Sequence, residues 1–314
     1  MKLIAALVLL TLALPPFIAS AWNKPGHMLS AAIAYQVLRQ ENPGTIADVR
    51  VVLASHPWFT TQWKKGLTGV PAADRDLMLF MLAARWPDDA RGTPFHRGNW
   101  HYINLPFKPS GEPANVQEDP ASAPNVLTAL ADNESTVRND PNADRRAVAM
   151  AWLFHLVGDV HQPLHTTQLF TLEYPDGDRG GNEICIRVKP KNRPIALHKF
   201  WDDMLTGSEK LTVVRNLATG LRNRPDFAKS KLTELGNTDV EIWAKESFTQ
   251  GVTIAYRNGT FRGTQKGHAS DCADLQIATV LPSGYITTAK PVAERRMILA
   301  GYRLADFLTR VVGN

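Results

Sequence analysis

The sequence predicts an all-α protein, a single mostly helical domain with a minor β-hairpin. Three observations predict it: apolar residues recur at helical spacing in several segments, prolines stand where helices begin or stop, and strand-like alternation is confined to one short stretch. The first 21 residues stand apart as an export signal. Lys2 gives a positive start, Leu3 to Leu14 a short apolar run, and Ala19-Ser20-Ala21 a small-x-small cleavage pattern. That run is too short for a convincing transmembrane helix, and no other segment is long and apolar enough to span a bilayer. The expected division is therefore residues 1–21 as signal and 22–314 as one domain, secreted or periplasmic, with Trp22 as its first residue.

The first helical pattern opens at Pro25 and carries Leu29, Ile33 and Val37 at i, i+4 spacing. A second runs from Asp144 to about Val160 and is ended by Pro163. A third opens at Pro194, with Ile195, Leu197, Phe200, Trp201 and Met204. A fourth surrounds Ile242-Trp243 and continues towards Tyr256. The last starts at Pro291 and places Val292, Ile298, Leu299, Leu304, Phe307 and Leu308 among charged residues, which suits core packing. Glu183 to Val188 alternates with Ile184, Ile186 and Val188 on one side, as a hairpin arm does. Phe107 to Pro124 reads as an irregular surface loop.

Charge and cysteines constrain less. The formal charge of +5 becomes +4 without Lys2, which is compatible with a polyanionic substrate but singles none out. Cys185 and Cys272 form either one long-range disulfide or two thiols, and the sequence leaves both open. Asn133-Glu134-Ser135 and Asn258-Gly259-Thr260 match the glycosylation acceptor pattern.

The chemistry lies in histidine and aspartate spacing. In His155-Leu156-Val157-Gly158-Asp159, the histidine and aspartate are four apart on a helix and share a face, so they can hold one metal ion. An imidazole and a carboxylate among Trp152, Phe154 and Leu156 are costly to bury without a strong partner, and zinc is such a partner. His198 and Asp202 repeat the spacing beside Phe200 and Trp201. His161 falls about 200° around the helix from Asp159 and is read as structural, whereas His165, after the turn at Pro163, is the expected ligand. Asp88, in Trp86-Pro87-Asp88-Asp89, and His101, in Trp100-His101-Tyr102, have the same aromatic company. A liberated Trp22 amine, five residues before His27, either shares an ion with that histidine or is a frayed end.

Taken together these residues resemble the S1/P1 nuclease family, zinc-dependent enzymes that cleave single-stranded DNA and RNA. The elements that carry the resemblance run in order from Trp22 with His27, through Trp86-x-Asp88-x-x-Arg91 and Trp100-His101-Tyr102-Ile103. They continue with His155-x-x-x-Asp159-x-x-x-x-x-His165, Gly180-Gly181-Asn182 and Leu197-His198-x-x-x-Trp201-Asp202. The resemblance implies a helical fold with three zinc ions at the bottom of a cleft. Asp88, His101, His155 and Asp159 would hold the first ion, and His165, His198 and Asp202 the second. The amine and carbonyl of Trp22, with His27 and a bridging Asp159, would hold the third. By the same resemblance Arg91 contacts phosphate, Asn182 lines the substrate site, and Tyr102 either stacks on a base or packs the core. The implied substrates are single-stranded DNA and RNA and 3′-nucleotides, cleaved to 5′-phosphate products by metal-bound hydroxide. No stable membrane association is expected, and a monomer is.

Two alternatives have different substrates or none. A zinc-dependent phospholipase C shares such a site but needs an apolar lip, and no sequence run announces one. A zinc-scavenging protein would bind without turnover, although ligands drawn from histidine and aspartate suit open catalytic sites better than closed structural ones. One departure from the family pattern is informative: many members carry aspartate where this chain has Asn104. An amide orients water but does not take its proton. Asn104→Asp is therefore expected to shift the pH profile of hydrolysis without abolishing it, and complete loss of activity would refute this view.

Overall fold

Asn23 sets the start of the first helix. Its side chain accepts a hydrogen bond from the Gly26 amide at 2.8 Å, and Pro25 fills the first turn, where no intrahelical N–H is required. In the computed structural model, which describes residues 22–313, this helix is α1, Lys24–Glu41. The expected leader, residues 1–21, and Asn314 lie outside the described residues. Apart from Gln36, α1 is buried from Pro25 to Leu38, so it is a central helix enclosed on all sides.

The chain continues through α2 (Pro43–Leu53), the single turn α3 (Lys64–Gly66) and α4 (Arg75–Asp89). Next come β1 (Leu105–Phe107), α5 (Val126–Asn139), α6 (Ala143–Asp159), β2 (Thr167–Leu169), β3 (Ile184–Arg187) and β4 (Ile195–Ala196). It ends with α7 (Leu197–Asp202), α8 (Leu211–Arg222), α9 (Val240–Gln250), β5 (Thr264–Gln265), β6 (Thr279–Val280) and α10 (Tyr285–Val312). Around α1 pack α10, α4, α8 and α6, and the core between them holds Trp22, Trp86, Trp152 and Trp201 fully buried. The mostly helical architecture is the one the apolar spacing predicts.

Two small sheets position the loops. Strands β1 and β2 pair in parallel, Leu105 opposite Thr167, and the Ile103 amide donates to the His165 carbonyl at 2.8 Å. This ties the His101 segment to the His165 segment. Strand β3 lies between antiparallel β4 and β5 and also pairs in parallel with β6. A disulfide joins Cys185 in β3 to Cys272 across 87 residues, which decides between the two alternatives the sequence leaves open.

The structure corrects several boundaries. The helix expected from Pro194 begins at Leu197, because Ile195–Ala196 pairs with β3 as a strand. The last helix begins at Tyr285, six residues before Pro291. Pro291 is exposed, so the carbonyl its ring deprives of a partner lies on the solvent side. Ile184, Cys185 and Ile186 are all buried, so β3 is covered on both faces rather than one. Helices α2, α4, α5 and α8 have no counterpart in the elements read from the sequence.

Helices α1 and α10 touch closely at Gly301. A Cβ there would lie 2.2 Å from Ile33 Cγ2. Gly301→Ala is therefore expected to cost about 1–3 kcal/mol, read as a lower denaturation midpoint. Gly220, on the exposed face of α8, has nothing within 4 Å of such a Cβ. Gly220→Ala should instead stabilise by about 0.5–1 kcal/mol.

Candidate metal centre

Helix α6 supplies the middle of the site. His155 and Asp159, one turn apart, both face α1 and α4 and are fully buried. Gly158 between them lets α1 come close: a Cβ there would lie 2.8 Å from His27 Nδ1. Helix α4 brings Asp88 in its last turn, and the 3-10 turn Gly98–His101 brings His101. A second 3-10 turn, Pro163–His165, brings His165, and α7 presents His198 and Asp202 on one face. All eight side chains are at most 7% exposed, which places them in the interior and not on a solvated face.

Their polar atoms converge. Asp159 is the hub: Oδ1 lies 3.3 Å from His27 Nε2, and Oδ2 lies 3.1 Å from His101 Nδ1 and 3.3 Å from His155 Nε2. His165 Nδ1 is 3.8 Å from Oδ1. On the other side, Asp202 lies 3.5 Å from His198 Nε2 and 3.9 Å from His165 Nε2. Three sets could each hold a cation, with donor atoms within 4.8 Å of one another: His27, His155 and Asp159; Asp88, His101 and His155; and His165, His198 and Asp202.

Tautomers sharpen the picture. The Nδ1–H groups of His155, His165 and His198 donate to the carbonyls of Ala84, His101 and Gly180, at 2.8, 2.6 and 2.6 Å. Each Nε2 then carries a lone pair. His165 Nε2 and His198 Nε2 face each other at 3.1 Å beside the Asp202 carboxylate. Lone pairs and a negative charge in this arrangement repel, and a cation among them reverses the sign. Asp88 Oδ2, Asp159 Oδ1, Asp202 Oδ2, His101 Nε2 and both nitrogens of His27 are buried without a hydrogen-bond partner among the described residues. Such orphaned atoms are costly unless something else satisfies them.

The electrostatics agree. Burial drives the Asp159 carboxyl well above the ordinary carboxylate range, and Asp88 and Asp202 add to it. Burial does the same to Asp202, against a lowering hydrogen bond from Gln162. Burial also holds His27 and His101 far below the usual imidazole range, with His155 next in effect, and takes His155 down to about 4. Burial thus favours the uncharged forms of Asp159, Asp202, His27, His101 and His155, whereas a cation among them would favour the carboxylates.

The eight histidines and aspartates singled out in the sequence as ligands are brought together. His161 points away: its Nδ1–H donates to the Val157 carbonyl at 2.7 Å, and Nε2 meets Arg303 Nη1 at 2.9 Å. Trp22 is fully buried, and the Asn23 amide next to it donates to the Asp202 carbonyl at 3.4 Å. Arg91 donates through Nη2 to Asp88 Oδ1 at 2.6 Å and keeps 22% of its side chain exposed. Tyr102 and Asn104 line a pocket of about 230 Å³ next to His101, closed by Pro120, Ser122, Asn125 and Gln168. Asn182 turns its amide into its own loop, donating to the Arg179 carbonyl at 2.9 Å.

The sequence reading missed Gln162. Fully buried, it donates from Nε2 to Asp202 Oδ1 at 2.7 Å and accepts from the Leu164 amide through Oε1. Its only sequence signal is a buried amide placed between two histidines. Gln162→Leu leaves one oxygen of a buried carboxylate without its donor. The expected result is a loss of about 1–3 kcal/mol of stability and a roughly 10–100-fold weaker metal affinity, measured by denaturation and metal titration.

A sequence model of the S1/P1 nuclease family matches residues 22–313. Endonuclease 5 of Arabidopsis thaliana is 30% identical, over 93% of this chain and 91% of that protein. Nuclease P1 of Penicillium citrinum is 23% identical over 93% of this chain and 98% of its own length, and nuclease S1 of Aspergillus oryzae 26% identical over 67% and 70%. With this match running from the buried Trp22 past every histidine and aspartate of the cluster, the chain belongs to the S1/P1 nuclease family and is a hydrolase of phosphodiester bonds.

Proposed function

We propose that the protein is an exported nuclease and 3′-nucleotidase for single-stranded DNA and RNA, active with three zinc ions and with Trp22 as its processed first residue. Asp88, His101, His155 and Asp159 hold one ion, and His165, His198 and Asp202 another. His27, Asp159 and the amine and carbonyl of Trp22 hold the third. The observation that carries this reading is the Asp159 carboxylate, whose two oxygens face different ligand groups, His27 on one side and His101 with His155 on the other. Donors on one tetrahedral zinc lie roughly 3.3 Å apart, given bonds of about 2.0–2.1 Å. The spacings around Asp159 and Asp202 run from 3.1 to 3.9 Å, which fits such ions.

Bound zinc supplies an activated water at neutral pH and positive charge for the attacking and leaving oxygens of an in-line displacement. The chain's own residues do the rest. Asp159 bridges, and Ala84, His101 and Gly180 hold the imidazoles in the tautomer that presents Nε2. Arg91, braced on Asp88, offers its exposed edge to a substrate phosphate, as a planar guanidinium does well. Tyr102 presents a ring to the 230 Å³ pocket, where a base can stack whatever its identity. A base inside a duplex already has both faces covered, so stacking there favours single strands. Asn104 orients water or base edge, and Asn182 lines the approach.

Export and activity are linked by the Trp22 terminus. Asn23 is tied to the end of α7 through its amide to Asp202 and its side chain to Asp203 and Thr206, at 2.9 and 2.8 Å, which supports a terminus beside the cluster. The test is zinc analysis of the processed protein beside cleavage of single-stranded and duplex DNA. About three zinc per chain, one for each ligand group, is expected, with chelator-sensitive cleavage confined to the single strand. Chelation should also lower the melting temperature, because it strips the compensating charge from three buried carboxylates. A protein carrying one extra residue before Trp22 should bind one zinc fewer. Equal cleavage of duplex, or chelator-insensitive cleavage, would overturn the reading.

A further inference from the structure

The buried carboxylate of Asp178 is not accounted for by the proposed metal ligands. It is fully buried between β2 and β3. Oδ1 accepts from the Leu169 amide at 2.8 Å, and Oδ2 accepts from the Gly181 amide at 2.8 Å and from the Tyr256 hydroxyl at 2.7 Å. The Asp178 amide returns a hydrogen bond to the Leu169 carbonyl at 3.0 Å. Every one of these contacts to the carboxylate is a donor, so a proton on Asp178 would find no acceptor there. Burial pushes the carboxyl up to about 7, while Tyr256 and the amides of Leu169, Gly181 and Gly180 pull it down.

The residues this carboxylate holds have an unusual backbone. Arg179, Gly180 and Gly181 follow one another at φ of 54°, 60° and 83°. For Arg179 the left-handed region is costly, so the turn persists only because its surroundings impose it. A Cβ on Gly180 would sit 2.2 Å from the Leu164 carbonyl oxygen, so only glycine fits. The turn then delivers two carbonyls to one histidine. Gly181 O accepts the His198 amide at 3.2 Å, and Gly180 O accepts its Nδ1–H at 2.6 Å.

We propose that Asp178 is the positioning residue for this side of the metal centre. With Tyr256 it holds the Arg179–Gly181 turn left-handed, so that Gly180 O fixes the tautomer and ring plane of His198 and aims Nε2 at Asp202 and His165. The inference rests on the reading of those three residues as a zinc site, and it adds that the site is set from beneath by a carboxylate and a tyrosine that touch no ion.

The test uses the full processed protein and two variants. Asp178→Asn keeps the shape but turns an N–H₂ towards one of the donors. Tyr256→Phe keeps the ring and removes one donor. Zinc affinity is read by competition with a chromophoric chelator, and the His198 tautomer by ¹⁵N NMR of the zinc-free protein. In Asp178→Asn one zinc should weaken by about 10–100-fold while the others hold. In Tyr256→Phe the same zinc should weaken by about fivefold. The His198 ring should change from Nδ1–H to a mixture of tautomers in Asp178→Asn. An unchanged titration and tautomer in folded variants would overturn the proposal, as would a folded variant in which all three zincs weaken equally. If Asp178→Asn does not fold, Tyr256→Phe decides alone. A wild-type protein that binds no zinc at His165, His198 and Asp202 would refute the metal-centre reading instead, and the tautomer would still test Asp178.

Discussion

Three carboxylates and five imidazoles, buried in overlapping or adjoining sets whose donor atoms lie within 4.8 Å of one another, are the constraint on which the structure turns. Interiors tolerate such groups only when charge and hydrogen bonds are compensated. Of the cations that act on these carboxylates, Arg91 is committed to Asp88 and Lys199 to Asp203. The packing of the helices serves this cluster. Gly158 thins α6 where His27 of α1 comes in, the His155 ring stacks on that of His27 at 3.6 Å, and α4 offers both a ligand and the Ala84 carbonyl. A fold built around hydrophobic burial alone would have no reason to bring these polar faces together.

The opposite face of the same helix end shows what compensation from within the protein looks like. Past Asp159, His161 meets Arg303, and Arg303 and Arg296 both reach Glu246, at 2.7 to 2.8 Å. Here cations from α10 neutralise the half-buried acid Glu246 from α9, and the His161 ring is satisfied at both nitrogens. The two networks are separated by little more than one turn of chain. One is closed by arginines, and the other keeps carboxylate oxygens and ring nitrogens without hydrogen-bond partners among the described residues. That contrast separates a structural polar network from a site arranged to receive something positive.

The parts of this site legible in the sequence are those in which one helix carries both ligands. His155 with Asp159 and His198 with Asp202 announce themselves by four-residue spacing among aromatics, because a helix converts spacing into a shared face. His101 and Asp88 were legible only through their company. What the sequence hid is non-local. The carbonyls of Ala84, His101 and Gly180 select the tautomers, and a backbone carbonyl leaves no mark on the residue that owns it. Gln162 and Asp178 act through partners 40 and 78 positions away, Asp202 and Tyr256. The strand Ile195–Ala196 was read as helix for the same reason: its pairing with β3 outweighs the helical pattern that continues into α7.

Arg91 stands between the cluster and the solvent. Its guanidinium bridges a buried carboxylate and the solvent, with one face on Asp88 and the rest partly exposed. Without a cation, burial disfavours the charged forms of Asp159 and Asp202, and the arginine is held by its pair with Asp88. On the proposed reading, cations in the ligand groups would favour the carboxylates and add positive field beside the guanidinium for an incoming phosphate. The same ions that would satisfy the orphaned oxygens would then also change what the mouth of the site attracts. On the proposed reading, metal loading and anion affinity would be linked through one charge balance, centred on Asp159.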